Sequence, residues 1–477
     1  MDLTSLPIEK LAPMIRARKL SPSEITDAFL KRIAKLNPKL NAYITVAAKR
    51  AREDARCAER EIRSGNYRGP LHGIPICLKD NIETAGVRTT GGSKILRDSI
   101  PQTDSLIAAQ LRDAGCVLLG KTNLHEFAYG VTTENPHFAP TRNPWNAKLI
   151  PGGSSGGNAA AIAAGMACAA IGTDTGGSVR IPSAHCGIVG LKTTYDRAAL
   201  AGIIPLSESL DSVGPMARTV KDAAMLIRCT APYANQDAQA LRERMRGCLP
   251  LPQPAKRTGA KPLRGIVLGI PQDYFNLWID VQVRRAVESA IEDCRLLGAR
   301  VREIEMPWIA ESDDAGTQIA LAEASAWHMA QGWFPQRAED YGEDVRKRLE
   351  MGAGITAMDY LAAKQKQKAL LAKADELFRS VHALAVATVP VAATPIGEHL
   401  TRICGRPEPV RAALLRLNRP ANFLGCPAIS VPCGFSKQGL PIGLQLIGPP
   451  YSELNLCSIA RPYEQAHDWH TRRPVVS

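Results

Sequence analysis

Residues 149–173 carry no charged side chain, and this stretch limits the fold more than any other feature of the chain. Twenty-five uncharged residues must lie in a membrane or inside a protein core. The first part, Pro151-Gly-Gly-Ser-Ser-Gly-Gly157, is too rich in turn-forming residues to cross a bilayer, and the apolar part, 159–172, is too short. The stretch therefore reads as a buried helix with a glycine- and serine-rich entry. The chain is long enough to bury it: 477 residues allow about three domains or one large single-core enzyme. At 45% hydrophobic and 22% charged residues the composition is that of an ordinary globular protein, which excludes wholesale disorder.

Charge narrows the partner classes. Lys and Arg number 59 against 46 Asp and Glu, a net charge of +13, but the basic residues are scattered and form no arm. Aromatic residues are 5%, too few for a base-stacking platform, so direct nucleic-acid binding is not expected. The 12 cysteines lie far apart with no CxxC pair, and residues 1–10 lack the apolar core of a signal peptide. These features point to reduced thiols in a cytoplasmic protein with no membrane segment.

The organisation suggests one α/β domain over 1–477, in four parts. Residues 1–62 are helical, opened by the capping box Ser21-Pro22-Ser23-Glu24 and continued by Ile25, Phe29 and Ile33. Residues 63–247 alternate short apolar strands, at 74–78 and 117–119, with helical segments such as 105–113. Residues 248–264, rich in Pro and Lys, form a connector. Residues 265–477 add a strand at 266–270, helices at 281–297 and 356–380, and strands near 384–389, 429–432 and 443–447. The expected fold is a central mixed, mostly parallel-type sheet covered by helices on both faces.

Several motifs fit poorly. Residues 115–122, GCVLLGKT, satisfy the Walker A pattern, but Cys-Val-Leu-Leu forms a strand rather than a phosphate-cradling loop. Residues 352–357 imitate a dinucleotide fingerprint but follow a charged helical stretch instead of a strand. His467 and His470 have no third metal ligand nearby, so no metal site is expected. Residues 152–156 match the nucleophile elbow G-x-S-x-G, yet the text before them is turn-rich and broken by two prolines.

The serines themselves remain to be explained. Ser154 lies in PGGSSGGNAAA and Ser178 in GTDTGGSVRIP. If 157–166 is a helix it travels roughly 15 Å, and five residues of strand from Cys168 return about 17 Å. Ser154 and Ser178 then meet at one end of a sheet, where α/β folds collect ligands. In Asp174-Thr175-Gly176-Gly177-Ser178 the glycines let successive amides face one point, the requirement of an oxyanion hole. Taken alone, the segment also fits a tight turn holding a hydrogen-bonded serine. A serine nucleophile needs a base. His185 is near in sequence, and the other candidate is Lys79, which ends the strand Gly73-Ile-Pro-Ile-Cys-Leu-Lys79. Serving at neutral pH would require it to lose about three pKa units, within the range burial produces; a strand-end lysine also commonly reaches to solvent.

In order and spacing, these segments resemble the amidase signature family: Gly73-Ile-Pro-Ile-Cys-Leu-Lys79-Asp-Asn81, PGGSSGG, and GTDTGGSVRIPSAHCGIVGLKTT. The likeness extends to 120–128, 210–215 and 425–448 and so covers nearly the whole chain. It implies a triad in which Ser178 attacks the carbonyl, Ser154 relays its proton after a cis peptide bond, and neutral Lys79 is the base. Backbone amides of Thr175, Gly176, Gly177 and Ser178 would receive the oxyanion, with Asp174 and Arg180 tying the loop and Ser155 orienting Ser154. Phe127, Ala128, Tyr129 and Gly130, with Gly153, would wall the acyl pocket, and Trp327, His328, Trp333 and Phe334 would supply an aromatic cover. No cofactor is implied. The expected activity is that of a stand-alone amidohydrolase for an aryl or small apolar carboxamide, or a carbamate, its partners being a small-molecule substrate and at most a second copy in a homodimer. The alternatives are the glutamine-cleaving component of a tRNA-dependent amidotransferase and a non-catalytic assembly component. The amidotransferase reading is weakened at 415–420, Leu-Arg-Leu-Asn-Arg-Pro, which lacks the acid expected before the PAN segment.

Overall fold

The strands that frame the serines are buried at every position rather than at alternate ones. This holds for β2 (Pro75–Lys79), β3 (Val117–Thr122), β4 (Ala169–Asp174), β5 (Val189–Lys192) and β6 (Ser212–Ala217). Strands covered on both faces must be apolar or internally satisfied throughout. A computed structural model describes residues 2–231, 249 and 261–476, so the expected connector at 248–264 lies largely outside the described residues. The remaining strands are β1 (Tyr43–Val46), β7 (Val267–Pro271), β8 (Arg300–Ile304), β9 (Ala383–Ala387), β12 (Ala428–Phe435) and β13 (Pro441–Ile447). A small hairpin of β10 (Leu400–Ile403) and β11 (Arg406–Pro409) stands apart.

Eleven strands form one sheet in the order β1-β3-β2-β4-β6-β5-β12-β13-β9-β7-β8. The sheet is mixed. Its four parallel pairs lie toward the two ends, and its six antiparallel pairs comprise β1–β3 at one edge and the run from β4 to β9. Antiparallel pairing therefore outnumbers the parallel kind emphasised by the sequence reading. Part of the reason is local: β12 and β13 are joined by a short turn, which can connect only antiparallel strands.

The uncharged stretch forms the helix Gly156–Ala163, buried at all positions, followed by β4. The helix lies so close to its neighbours that a Cβ on Gly157 would come within 2.4 Å of the Asn123 carbonyl oxygen and 2.5 Å of that of Ala42. At the N-terminus Ser21 and Glu24 close the expected capping box on the helix Pro22–Leu40. The Asp222 carboxylate accepts the amides of Ile8 and Glu9, docking the first helix on the body. Among the described residues no helix is long and apolar enough to cross a membrane.

Register fixes where chemistry can occur. Because β2 and β4 run parallel, with Leu78 opposite Ile171, their C-terminal ends lie side by side. Lys79 closes one strand and Asp174 the other. The loops leaving those ends carry the residues of interest, the usual placement of ligand sites in such sheets.

Candidate active site

Lys79 is fully buried, and its Nζ lies 2.7 Å from Ser154 Oγ and 2.7 Å from Thr173 Oγ1. Burial pushes its pKa down to about 7, against the opposing pull of Asp211 and Asp174. An ammonium there has lost its hydration and has no carboxylate within ion-pair distance among the described residues, so the neutral amine becomes accessible near neutrality. Ser154 follows a cis Gly153-Ser154 peptide bond. The Ser155 amide donates to the Ser178 carbonyl at 3.1 Å, which fastens the two serine loops together. Ser178 lines a small cavity, and no hydrogen bond joins the Ser154 and Ser178 hydroxyls among the described residues. Such catalytic contacts commonly close only when substrate is bound.

A buried ion pair shapes the loop around Ser178. Arg180 donates through Nε and Nη2 to the two Asp174 carboxylate oxygens, at 3.0 and 2.8 Å. It also reaches Asn418 O, Asn422 Oδ1 and Gln445 Oε1, at 2.9, 2.7 and 2.7 Å. Burial alone would raise the Asp174 pKa, but Arg180, Lys192 and Asn422 together hold it well below the usual carboxylate range. The Asp174 carboxylate in turn accepts the amides of Gly177 and Val179.

That bond corrects one expectation. The Gly177 amide points at Asp174, 2.8 Å away, and is not free to receive an oxyanion. The amides of Thr175, Gly176 and Ser178 have no acceptor among the described residues, so the open donors are three rather than four. Thr175 is held from the other side: its hydroxyl donates to Asp211, which also accepts the amides of Leu206 and Ser207. Burial raises the Asp211 pKa to about 6 despite those bonds and the nearby Lys79. Sequence reasoning missed Thr173 and Asp211, although Asp211 lies in one of the segments that carry the family likeness.

Other expected residues take different positions. The Ser155 hydroxyl turns to the Thr173 carbonyl at 3.4 Å instead of orienting Ser154. His185 faces the Val391 carbonyl rather than either serine, and burial lowers its pKa to about 4. Ala128, Tyr129 and Gly130 line the cavity beside Ser178, whereas Phe127 and Gly153 do not. A Cβ on Gly153 would sit 2.8 Å from the Thr133 amide nitrogen, so this glycine permits a close backbone approach. Trp327, His328, Trp333 and Phe334 belong to a separate cluster around Phe127 and Tyr341. They pack behind the wall and line no part of the cavity; Leu206, Leu210, Ala320 and Leu415, with Arg411 and Arg419, do so in their place. The arginines carry no sequence motif, and only the fold brings them to Ser178. Among the described residues no cluster of His, Cys, Asp and Glu is arranged to hold a metal.

A layered α/β protein with a buried lysine against one serine and free amides beside a second has the parts of a serine acyl-transfer enzyme. The profile of the Amidase family matches residues 24–457, and the chain is a member of that family. The A subunit of the glutamyl-tRNA(Gln) amidotransferase of Geotalea daltonii is 38% identical, over all of both chains. The crystal structure of the corresponding A subunit from Thermotoga maritima superposes with a TM-score of 0.78 at 32% identity, covering 100% of this chain and 99% of that one. The peptide amidase of Stenotrophomonas maltophilia gives 0.81 at 31% identity over 98% of each.

These likenesses overturn the partner expectation. The full-length relatives that carry the A-subunit name are parts of an enzyme named for a tRNA, which contradicts a chain that meets only a small amide, with at most a second copy and no nucleic acid. The sequence reading failed here for a physical reason. Scattered positive charge excludes a basic arm, but it says nothing about an assembly in which other subunits contribute contacts.

Proposed function

We propose that this chain cleaves a carboxamide through an acyl-enzyme on Ser178 and acts as the amide-splitting component of an amidotransferase assembly. The observation that carries the chemistry is the 2.7 Å contact between buried Lys79 and Ser154. In this reading Ser178 Oγ attacks the carbonyl carbon while its proton passes to Ser154, whose own proton passes to Lys79 Nζ. The amides of Thr175, Gly176 and Ser178 receive the developing oxyanion, and losing one such donor typically costs about 3 kcal/mol. The relay then runs backward: Ser154 protonates the leaving nitrogen, which departs as ammonia from a primary amide, and water enters along the same path to free the acid.

A place in such an assembly is supported by full-length relatives that carry the amidotransferase name at 36–41% identity. A cytoplasmic setting goes with it. The narrower expectation of a hydrolase for aryl or apolar amides has less support, because the aromatic cover on which it leaned does not reach the cavity. The test measures ammonia release from primary carboxamides by the purified chain, alone and with amidotransferase partner proteins, for wild type and Ser178→Ala. Turnover that Ser178→Ala abolishes, and that the partners raise, is expected. An active Ser178→Ala protein, or an acyl group found by mass spectrometry on another residue, overturns the mechanism; turnover indifferent to partners overturns the assembly.

A further inference from the structure

Lys79 Nζ meets two hydroxyls at the same distance. Besides Ser154 Oγ it lies 2.7 Å from Thr173 Oγ1, and the Thr173 carbonyl oxygen is a third neighbour at 3.5 Å. Among the described residues no other atom is within hydrogen-bond distance of that nitrogen. Two of its three contacts therefore come from one residue, to which the proton relay assigns no part. Thr173 is 3% exposed and lines neither the cavity beside Ser178 nor the outer one, so it is placed to act on the lysine rather than on substrate.

The position follows from the sheet. Strand β2 ends at Lys79, while its parallel neighbour β4, with Ile171 opposite Leu78, runs on to Asp174 and leaves Thr173 beside the lysine head group. Asn81 fixes the hydroxyl further. Its amide nitrogen lies 3.1 Å from the Ile204 carbonyl oxygen and 3.4 Å from Thr173 Oγ1. The carbonyl can only accept, so the group it meets is the amide NH2, and Thr173 faces the same donor.

The charged groups around Lys79 are already engaged. Asp174 pairs with Arg180, Asp211 accepts from Thr175, Leu206 and Ser207, and Asp80, the next residue of the chain, accepts from Thr90 and lies 3.9 Å from Lys121. Asp211 and Asp174 favour a charged lysine only from a distance, against the larger effect of burial. An ammonium has three hydrogens and accepts nothing, so either hydroxyl can only accept from it. Once Lys79 takes the Ser154 proton, its three hydrogens have three oxygens in reach: Ser154 Oγ, Thr173 Oγ1 and Thr173 O. A buried lysine that lacks such acceptors falls to a pKa of about 5 to 6, roughly 10- to 100-fold weaker as a base than one near 7.

Resting on the reading of Lys79 as the base, we propose that Thr173 is a positioning residue whose hydroxyl and carbonyl hold the ammonium formed when Lys79 accepts the Ser154 proton, keeping the amine on Ser154 and basic enough to take that proton. Thr173 itself gives up no proton and touches neither substrate nor acyl group.

Thr173→Val tests this, because valine keeps the branched shape and removes only the hydroxyl. With ammonia release from a primary carboxamide as the readout, kcat should fall about 10- to 100-fold with KM unchanged. The acid limb of the pH profile should move about one unit lower, the worth of one hydrogen bond to a charged group. Thr173→Ser, which restores the hydroxyl, should return both the rate and the limb toward wild type. A residue that merely packs would lower stability or rate and leave the limb where it was. A second measurement needs no turnover: Tm against pH for Ser178→Ala protein, with and without Thr173→Val. A folded-state pKa moved down makes the stability rise attributed to Lys79 begin about one pH unit lower, so the difference between the two curves should change with pH just below 7 and stay constant above it. That result supports the Thr173 contact even if Lys79 proves not to be the base. An acid limb unmoved or moved upward in Thr173→Val, a Thr173→Ser protein as impaired as Thr173→Val, or Tm curves that differ by a constant overturns the proposal, even if Lys79 is the base. Should Thr173→Val fail to fold, Thr173→Ala carries the same expectations.

Discussion

The chemistry at Ser178 rests on Lys79 being without a proton, and Lys79 can be tested directly. Its pKa of about 7, set by burial, means that the active fraction falls about tenfold per pH unit below neutrality and levels off above it. Turnover should therefore rise with pH to a plateau, the acid limb centred near 7. Asp211, with a pKa of about 6, ionises just below that limb and adds to its lower edge. Stability follows from the same displacement. Between about 7 and the ordinary 10.5 the unfolded chain holds a proton on Lys79 that the folded chain has released, so stability rises with pH across that window. Lys79→Met should abolish turnover and flatten that rise, as read by Tm against pH. An unchanged acid limb in a variant that still turns over would show that another group is the base.

At the scale of elements, the helix Gly156–Ala163 and strand β4 bring Ser154 and Ser178 together, and the close approach at Gly157 sets their position. In an exposed helix, Gly→Ala gains about 1 kcal/mol from propensity. Here the added methyl group would meet two backbone carbonyl oxygens, of Asn123 and Ala42, neither of which is a flexible side-chain end. Gly157→Ala should therefore destabilise the protein by roughly 2 kcal/mol net, within the range of overpacking, in chemical denaturation. An Ala variant as stable as wild type would show that the helix is free to shift. The same elements show what sequence can reveal. Residues 149–174 are legible because a run without charge, bounded by glycines and ended by Asp174, has few ways to fold. Arg411 is not, because one arginine in a short helical segment reads as a surface charge until the chain places it opposite residue 178. The aromatic residues at 327–334 mislead for the complementary reason: their apolar character fits a core as well as a substrate cover, and they fill the core behind Phe127.

Across the whole molecule, the sheet divides by chain order. Strands β1 to β6 occupy six adjacent positions and the five later strands the rest, so the two halves meet along one seam, β5 against β12. Lys79, Ser154 and Ser178 belong to the first half, while Arg411, Leu415 and Arg419 belong to the second. Reactivity therefore lies on one side of the seam, while the cavity wall draws on both, with Tyr129, Leu206 and Leu210 from the first half facing Arg411, Leu415 and Arg419 from the second. The first half is nevertheless incomplete by itself, because Arg180 depends on Asn418, Asn422 and Gln445 from beyond the seam. Without them a buried guanidinium loses three acceptors, and the Asp174 carboxylate that orders the Ser178 loop loses the side-chain amide of Asn422. Leaving such a network half satisfied costs several kcal/mol, comparable to the whole margin of a typical domain. Segments 1–247 and 265–477, produced separately, should therefore each lack a cooperative thermal transition and leave Ser178 unlabelled by a serine-directed fluorophosphonate. Produced together they should associate, melt cooperatively and regain labelling. Cooperative melting and Ser178 labelling of 1–247 alone would show that the second half supplies selectivity without supporting the catalytic loop.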